Sequence, residues 1–141
     1  MNFSLRHWIP PILWMGLIFF FSSRPDLSLM SLVPALSTGD PAQDLHLADL
    51  ILRKAAHITE YFILTRLYLG AINRGGPAAL ANRPLFWAAV LAVAFAATDE
   101  FHQTFVPSRT GTPIDVGIDA IGVTLSTLTS RKGYRAPAKN L

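Results

Sequence analysis

Two histidines and five carboxylates lie in or beside long apolar stretches of this chain, where an ionisable side chain is expensive to keep. Lys54, His57 and Tyr61 follow an i, i+3, i+7 spacing that puts them on one helix face, and Glu60 borders it. Further on, Asp99 and Glu100 are followed by His102 and Gln103, which lie three and four residues after Asp99. Arg109 comes next, in a connection. Asp115 and Asp119 then sit one helical turn apart, with Gly122 continuing their face. Arg53 completes the candidate binding set.

Several chemistries are open to these residues. His57 or His102 with Asp99 or Glu100 would make an acid–base pair of the kind that contributes about 10²–10⁴-fold to a reaction, with Arg53, Lys54 or Arg109 contacting phosphate. His57, Asp99 and His102 are also candidate metal ligands by type. No compact ligand spacing such as His-Glu-x-x-His is present, so the sequence assigns no cofactor. Acids Glu60, Asp99, Glu100, Asp115 and Asp119 outnumber cations Arg53, Lys54 and Arg109 by five to three. That excess suits a divalent metal, an amine-bearing ligand or a proton-sharing carboxylate network better than a bare phosphate. Equally, ion pairs such as Lys54–Asp119 or Arg109–Asp115 would fasten helices together, and Tyr61 and Asp115 would serve as packing residue and helix cap. The chain has no cysteine, no G-x-S-x-G, no P-loop and no zinc-protease signature.

The elements that must position these groups are helices of membrane type. The chain of 141 residues is 51% hydrophobic and only 15% charged, against about 25% charged in soluble domains. Its apolar residues fall in blocks, which predicts an all-α protein: a four-helix transmembrane bundle with spans at about 8–23, 50–72, 85–106 and 113–129. Pro10 and Pro11 fit the first turn of the first span, and no small-residue cleavage site follows closely. A loop is expected from Arg24 to about Leu47, with the semi-apolar stretch 27–36 lying at the interface. Thr112, Pro113 and Asp115 mark the start of the last span as N-cap, first helical residue and capping-box acid. In the third span, Ala88, Ala89, Ala92, Ala94, Ala96 and Ala97 allow a neighbouring helix, in the bundle or an oligomer, to pack closely. Trp8, Trp14 and Trp87 read as interfacial or packing aromatics.

Charge supplies a direction. With the N-terminus cytoplasmic, Arg6, Arg66, Arg74, Arg83, Arg131, Lys132, Arg135 and Lys139 fall on or near the inner side, eight of the twelve Lys and Arg. All nine acids then lie towards the outer side. The positive-inside rule thus predicts a multi-pass membrane protein with both termini in the cytoplasm and a basic tail over 131–141. The basic residues are dispersed between apolar blocks, so no nucleic-acid partner is expected despite a pI near 9.7. The lipid bilayer is the expected partner.

Read together, Arg53-Lys54-Ala55-Ala56-His57-Ile58-Thr59-Glu60-Tyr61, Asp99-Glu100-Phe101-His102-Gln103, Pro107-Ser108-Arg109-Thr110-Gly111, Asp115 and Gly122 resemble the VanZ-like family of bacterial membrane proteins. The resemblance covers about Trp8 to Leu128. This chain has Asp119 where the family typically has an asparagine, and Pro107-Ser108-Arg109 where Pro-Gly-Arg is typical. The resemblance implies a role at the cell envelope, and the founding member is associated with resistance to the glycopeptide teicoplanin. Two expectations follow: a binding protein for a lipid headgroup, a glycopeptide-like ligand or a cation, or a membrane-embedded enzyme acting on a lipid-linked substrate. A transporter ranks behind both, because the apolar run Leu85–Ala97 offers no continuous polar route.

Overall fold

The structure, a computed structural model, describes residues 4–24, 41–107, 109 and 111–131. All the regular structure in these residues is helical, as the blocks predict. A 3₁₀ turn at Leu5–His7 leads into α1 (Ile9–Ser22), followed by α2 (Pro41–Gly75), the single turn α3 (Ala78–Ala81), α4 (Pro84–Gln103) and α5 (Pro113–Arg131). Among the described residues, α4 is the one helix long and apolar enough by itself to cross a membrane. The stretch 27–36 and the tail beyond Arg131 lie outside the described residues.

Two boundaries differ from the sequence reading. The loop expected to reach Leu47 is helix from Pro41 onwards. Proline fits a first helical turn, and the polar residues after it stop an apolar block without breaking a helix. At about 1.5 Å per residue, 35 residues make α2 about 52 Å long, well beyond a hydrocarbon core of about 30 Å. The connection at 73–84 also contains α3, begun after Pro77.

Cross-helix contacts set the directions. Lys54–Asp115, His57–Asp119 and Arg66–Ser130 pair residues 61, 62 and 64 positions apart, so α2 and α5 run parallel. Ser22–Asp99 and Ser23–His102 are 77 and 79 apart, so α1 and α4 are parallel too. Trp14 donates from Nε1 to the Glu60 carbonyl at 3.0 Å, whereas Ser4 near the chain start donates its amide to the Gly75 carbonyl at 3.1 Å. Hence α1 runs against α2. The arrangement gathers Arg6, Arg74, Arg83 and Arg131 at one end, and Asp49, Asp99, Glu100 and Asp115 at the other.

Packing follows small residues. Along α4, Ala88, Ala92 and Ala96 are fully buried, and Asp99 and Gln103 extend the same stripe. Ala94 and Ala97 face outwards, so only part of the alanine set makes the contact. Tyr61, Leu64, Tyr68 and Ile72 of α2 and Val123 of α5 fill the space against that stripe. At Gly122 the backbones of α2 and α5 touch: a Cβ there would lie 2.1 Å from the Ile58 carbonyl oxygen. Gly117, one and a half turns earlier, faces open space.

Gly122→Ala is therefore expected to destabilise the fold by at least about 1–3 kcal/mol, since the obstruction is backbone and cannot rotate away. Gly117→Ala should be neutral or stabilising by up to about 1 kcal/mol. Thermal unfolding of both variants in the same detergent checks the contrast.

Candidate functional site

The parallel register of α2 and α5 places the first pairs. The Lys54 ammonium meets the Asp115 carboxylate, and His57 Nδ1 lies 3.1 Å from Oδ1 of fully buried Asp119. The pairs Lys54–Asp119 and Arg109–Asp115 considered from sequence are thus replaced. With offsets of 61 and 62 residues, Lys54 is level with Asp115 and His57 with Asp119. Arg109 instead donates from Nη2 to the Arg24 carbonyl at 3.4 Å, and its buried Nε has no partner among the described residues. Burial, reinforced by the Arg53 charge, pulls the Arg109 pKa below its ordinary value, with opposition from Asp99, Asp49 and Glu100. Arg53 forms an ion pair with Asp49 one turn back on α2, with Nε 2.6 Å from Oδ2.

Asp99 joins α1 to α4. Its Oδ1 accepts a hydrogen bond from Ser22 Oγ at 2.7 Å, and its Oδ2 accepts one from Gln103 Nε2 at 3.0 Å. Gln103 also donates to Glu100 Oε1 at 3.4 Å, while Glu100 Oε2 accepts the Thr112 amide at 3.2 Å. That last bond changes the expected capping box. The Thr112 hydroxyl accepts the Asp115 amide at 3.3 Å, as an N-cap should. The Asp115 carboxylate, however, accepts from the Thr112 hydroxyl at 3.0 Å, and the Thr112 amide goes to the neighbouring helix. Gly111 makes room for this crossing, since a Cβ there would lie 2.0 Å from the Glu100 carbonyl oxygen.

His102 faces α1. Its Nε2 is 3.1 Å from Ser23 Oγ, and its ring stacks on Phe19 with centroids 4.0 Å apart. Glu60 enters the contacts through its carbonyl, which accepts the Trp14 indole. The Tyr61 hydroxyl is buried and has no partner among the described residues.

The sequence-derived metal candidates His57, Asp99 and His102 do not form a ligand group among the described residues, because Asp99 and His102 turn towards the serines of α1. The groups that converge are His57, Glu100 and Asp119, whose ligand atoms all lie within 4.8 Å of one another. These three can pass a proton, share one or hold a cation. Ser22, Ser23 and Thr112 are the participants that sequence reasoning left out of the site. Their signal was faint: a pair of hydroxyls closing the first apolar block, and a threonine read only as a cap.

Replacing Asp99 by alanine removes the buried acceptor shared by Ser22 and Gln103, which keep only the Phe19 carbonyl and Glu100 Oε1, a loss of about 1–3 kcal/mol. Asp99→Asn retains one acceptor oxygen and should lose less. Parallel thermal melts of the two variants read this difference directly.

A family model described as VanZ/LLP1 matches residues 7–131. That span contains every described helix from α1 to α5 and all members of the carboxylate cluster. No curated protein and no solved structure matches the chain. By this match over nearly its whole length, the chain belongs to the VanZ/LLP1 family.

Proposed function

We propose that the chain is a single VanZ-like domain of the bacterial cytoplasmic membrane, with α1, α2, α4 and α5 all crossing and both termini inside. In this reading its acidic end opens to the outer face and binds a polar envelope ligand, such as an amine-bearing lipid headgroup or a glycopeptide-like molecule. The observation that carries the reading is the inverted polarity of the packed helices. Asp99, Glu100, Gln103, Asp119 and Ser126 are buried, while Leu13, Phe20, Phe86, Val93, Ile121 and Leu128 face outwards. In water that distribution would expose a large apolar surface and bury charge, both unfavourable. In lipid the outward apolar side chains meet a matching medium and most of the polar groups are turned towards one another.

Helix directions support the crossing pattern. If α4 spans, the helices packed parallel or antiparallel to it lie along the same normal, and the two connections from α2 to α5 are short. The basic end then corresponds to the cytoplasmic side by the positive-inside rule. The excess of carboxylates at the other end favours a ligand carrying positive charge.

A second reading draws on one observation, the contact between His57 Nδ1 and Asp119 Oδ1 beside Glu100. Such a pair is equipped for acid–base work on a lipid-linked substrate. It separates from the binding reading by product: an enzyme changes the lipid extract of cells that overproduce it, and His57→Gln abolishes the change without loss of folded protein. An unchanged lipid profile alongside altered susceptibility to a glycopeptide favours binding.

Because the chain has no cysteine, single-cysteine variants report topology cleanly. In intact cells a membrane-impermeant maleimide is expected to label Thr104→Cys, which lies beyond the end of α4. It should label Asn82→Cys, between α3 and α4, only after the membrane is opened. Labelling of Asn82→Cys in intact cells, with Thr104→Cys protected, would reverse the orientation and remove the outer-face site.

A further inference from the structure

Of the two carboxylates that converge with His57, Glu100 accepts a hydrogen bond at each oxygen, whereas Asp119 is less well matched than its neighbours. Lys54 is paired with Asp115, Arg53 with Asp49, and both oxygens of Asp99 accept hydrogen bonds. Asp119 is fully buried, yet its Oδ2 has no hydrogen-bond partner among the described residues. An ionised carboxylate oxygen left bare in a dry interior is costly, and a second carboxylate nearby raises that cost. Tyr61, whose ring centroid lies 6.5 Å from that of His57, adds a buried hydroxyl with no partner among the described residues.

We propose that His57, Glu100 and Asp119 bind a divalent transition-metal ion of the Zn²⁺ type through one imidazole nitrogen and two carboxylate oxygens. The charge of such an ion cancels the two carboxylates and gives the bare Asp119 oxygen a partner. Mixed imidazole and carboxylate donors suit Zn²⁺ or Mn²⁺, whereas Mg²⁺ and Ca²⁺ prefer oxygen alone. With Zn–ligand distances of about 2.0–2.2 Å, donors around one ion lie about 3–4 Å apart, so the observed spread within 4.8 Å closes by small side-chain rotations. Three protein ligands leave coordination positions open, the pattern of a site that receives water or a ligand donor rather than a purely structural one. Each ligand is held by its own element: His57 by α2, Glu100 by α4 and Asp119 by α5. The ion would therefore bridge three helices at the end where the Thr112 amide meets Glu100.

This inference rests on the reading of the cluster as a ligand site, but not on the direction in which the helices cross. The test uses the full chain in detergent, stripped with chelator and reloaded with Zn²⁺, Mn²⁺ or Co²⁺. One equivalent of Zn²⁺ is expected, bound more tightly than Mn²⁺, with Mg²⁺ failing to compete. Glu100→Gln and His57→Ala should weaken Zn²⁺ binding by at least about 100-fold, while Gly117→Ala, which faces open space on α5, should leave it intact. Co²⁺ loading of the wild type should produce visible absorption bands of an imidazole–carboxylate site, a readout that needs no variant to fold. Absence of both stoichiometric metal and a Co²⁺ spectrum overturns the proposal, as does equal loss of metal in Gly117→Ala. Metal binding with reversed maleimide labelling would keep the ion and retire the outer-face reading. Outer labelling without metal would retire the ion alone.

Discussion

Buried carboxylates cannot be left alone, and this requirement organises the acidic end of the molecule. Asp99, Glu100 and Asp119 are withdrawn from the surface between helices. Each reaches a donor on another element: Ser22 of α1 for Asp99, the Thr112 amide ahead of α5 for Glu100, and His57 of α2 for Asp119. A slip of one turn between any two helices would break these contacts and strand a charge, which in a low-dielectric interior is far more damaging than the loss of an apolar contact. The carboxylates therefore act on register as well as on chemistry.

The rest of the packing is permissive by comparison. Ala88, Ala92 and Ala96 contribute little side chain, and their role is to let neighbouring helices approach. Gly122 carries the approach of α5 to α2 to its limit, with backbone against backbone at Ile58. Close approach and polar pairing are connected. The short side chains of Asp115 and Asp119 reach Lys54 and His57 only because the glycine one turn beyond lets the helices meet.

The two ends differ in how their polar groups are paired. At the basic end, Arg66 is partly free to reach water while one nitrogen of its guanidinium donates to Ser130 Oγ at 2.8 Å. At the acidic end, the polar groups are turned inwards and linked through several elements. The same division runs along α4: Ala88, Ala92 and Ala96 pack in its apolar half, and Asp99 and Gln103 continue their stripe as hydrogen-bonding groups.

Much of this was visible in the residues. Helical blocks, the prolines opening α1 and α5, the segregation of basic and acidic residues, and the candidate set from Arg53 to Asp119 all follow from local rules of length, propensity and charge. Partner choice was not visible, because a pairing depends on the axial offset and facing of two helices far apart in sequence. Hence spacing alone allows Lys54 to face Asp119 as readily as Asp115, and residue type alone groups Asp99 and His102 with His57, although both turn to the serines of α1. The start of α2 at Pro41 was also hidden, since polar residues end an apolar pattern without ending a helix. Spacing along one helix determined which side chains share a face. Only the packing of α1, α2, α4 and α5 decided that His57, Glu100 and Asp119 meet, because three residues from three helices converge through backbone approach that no single helix encodes.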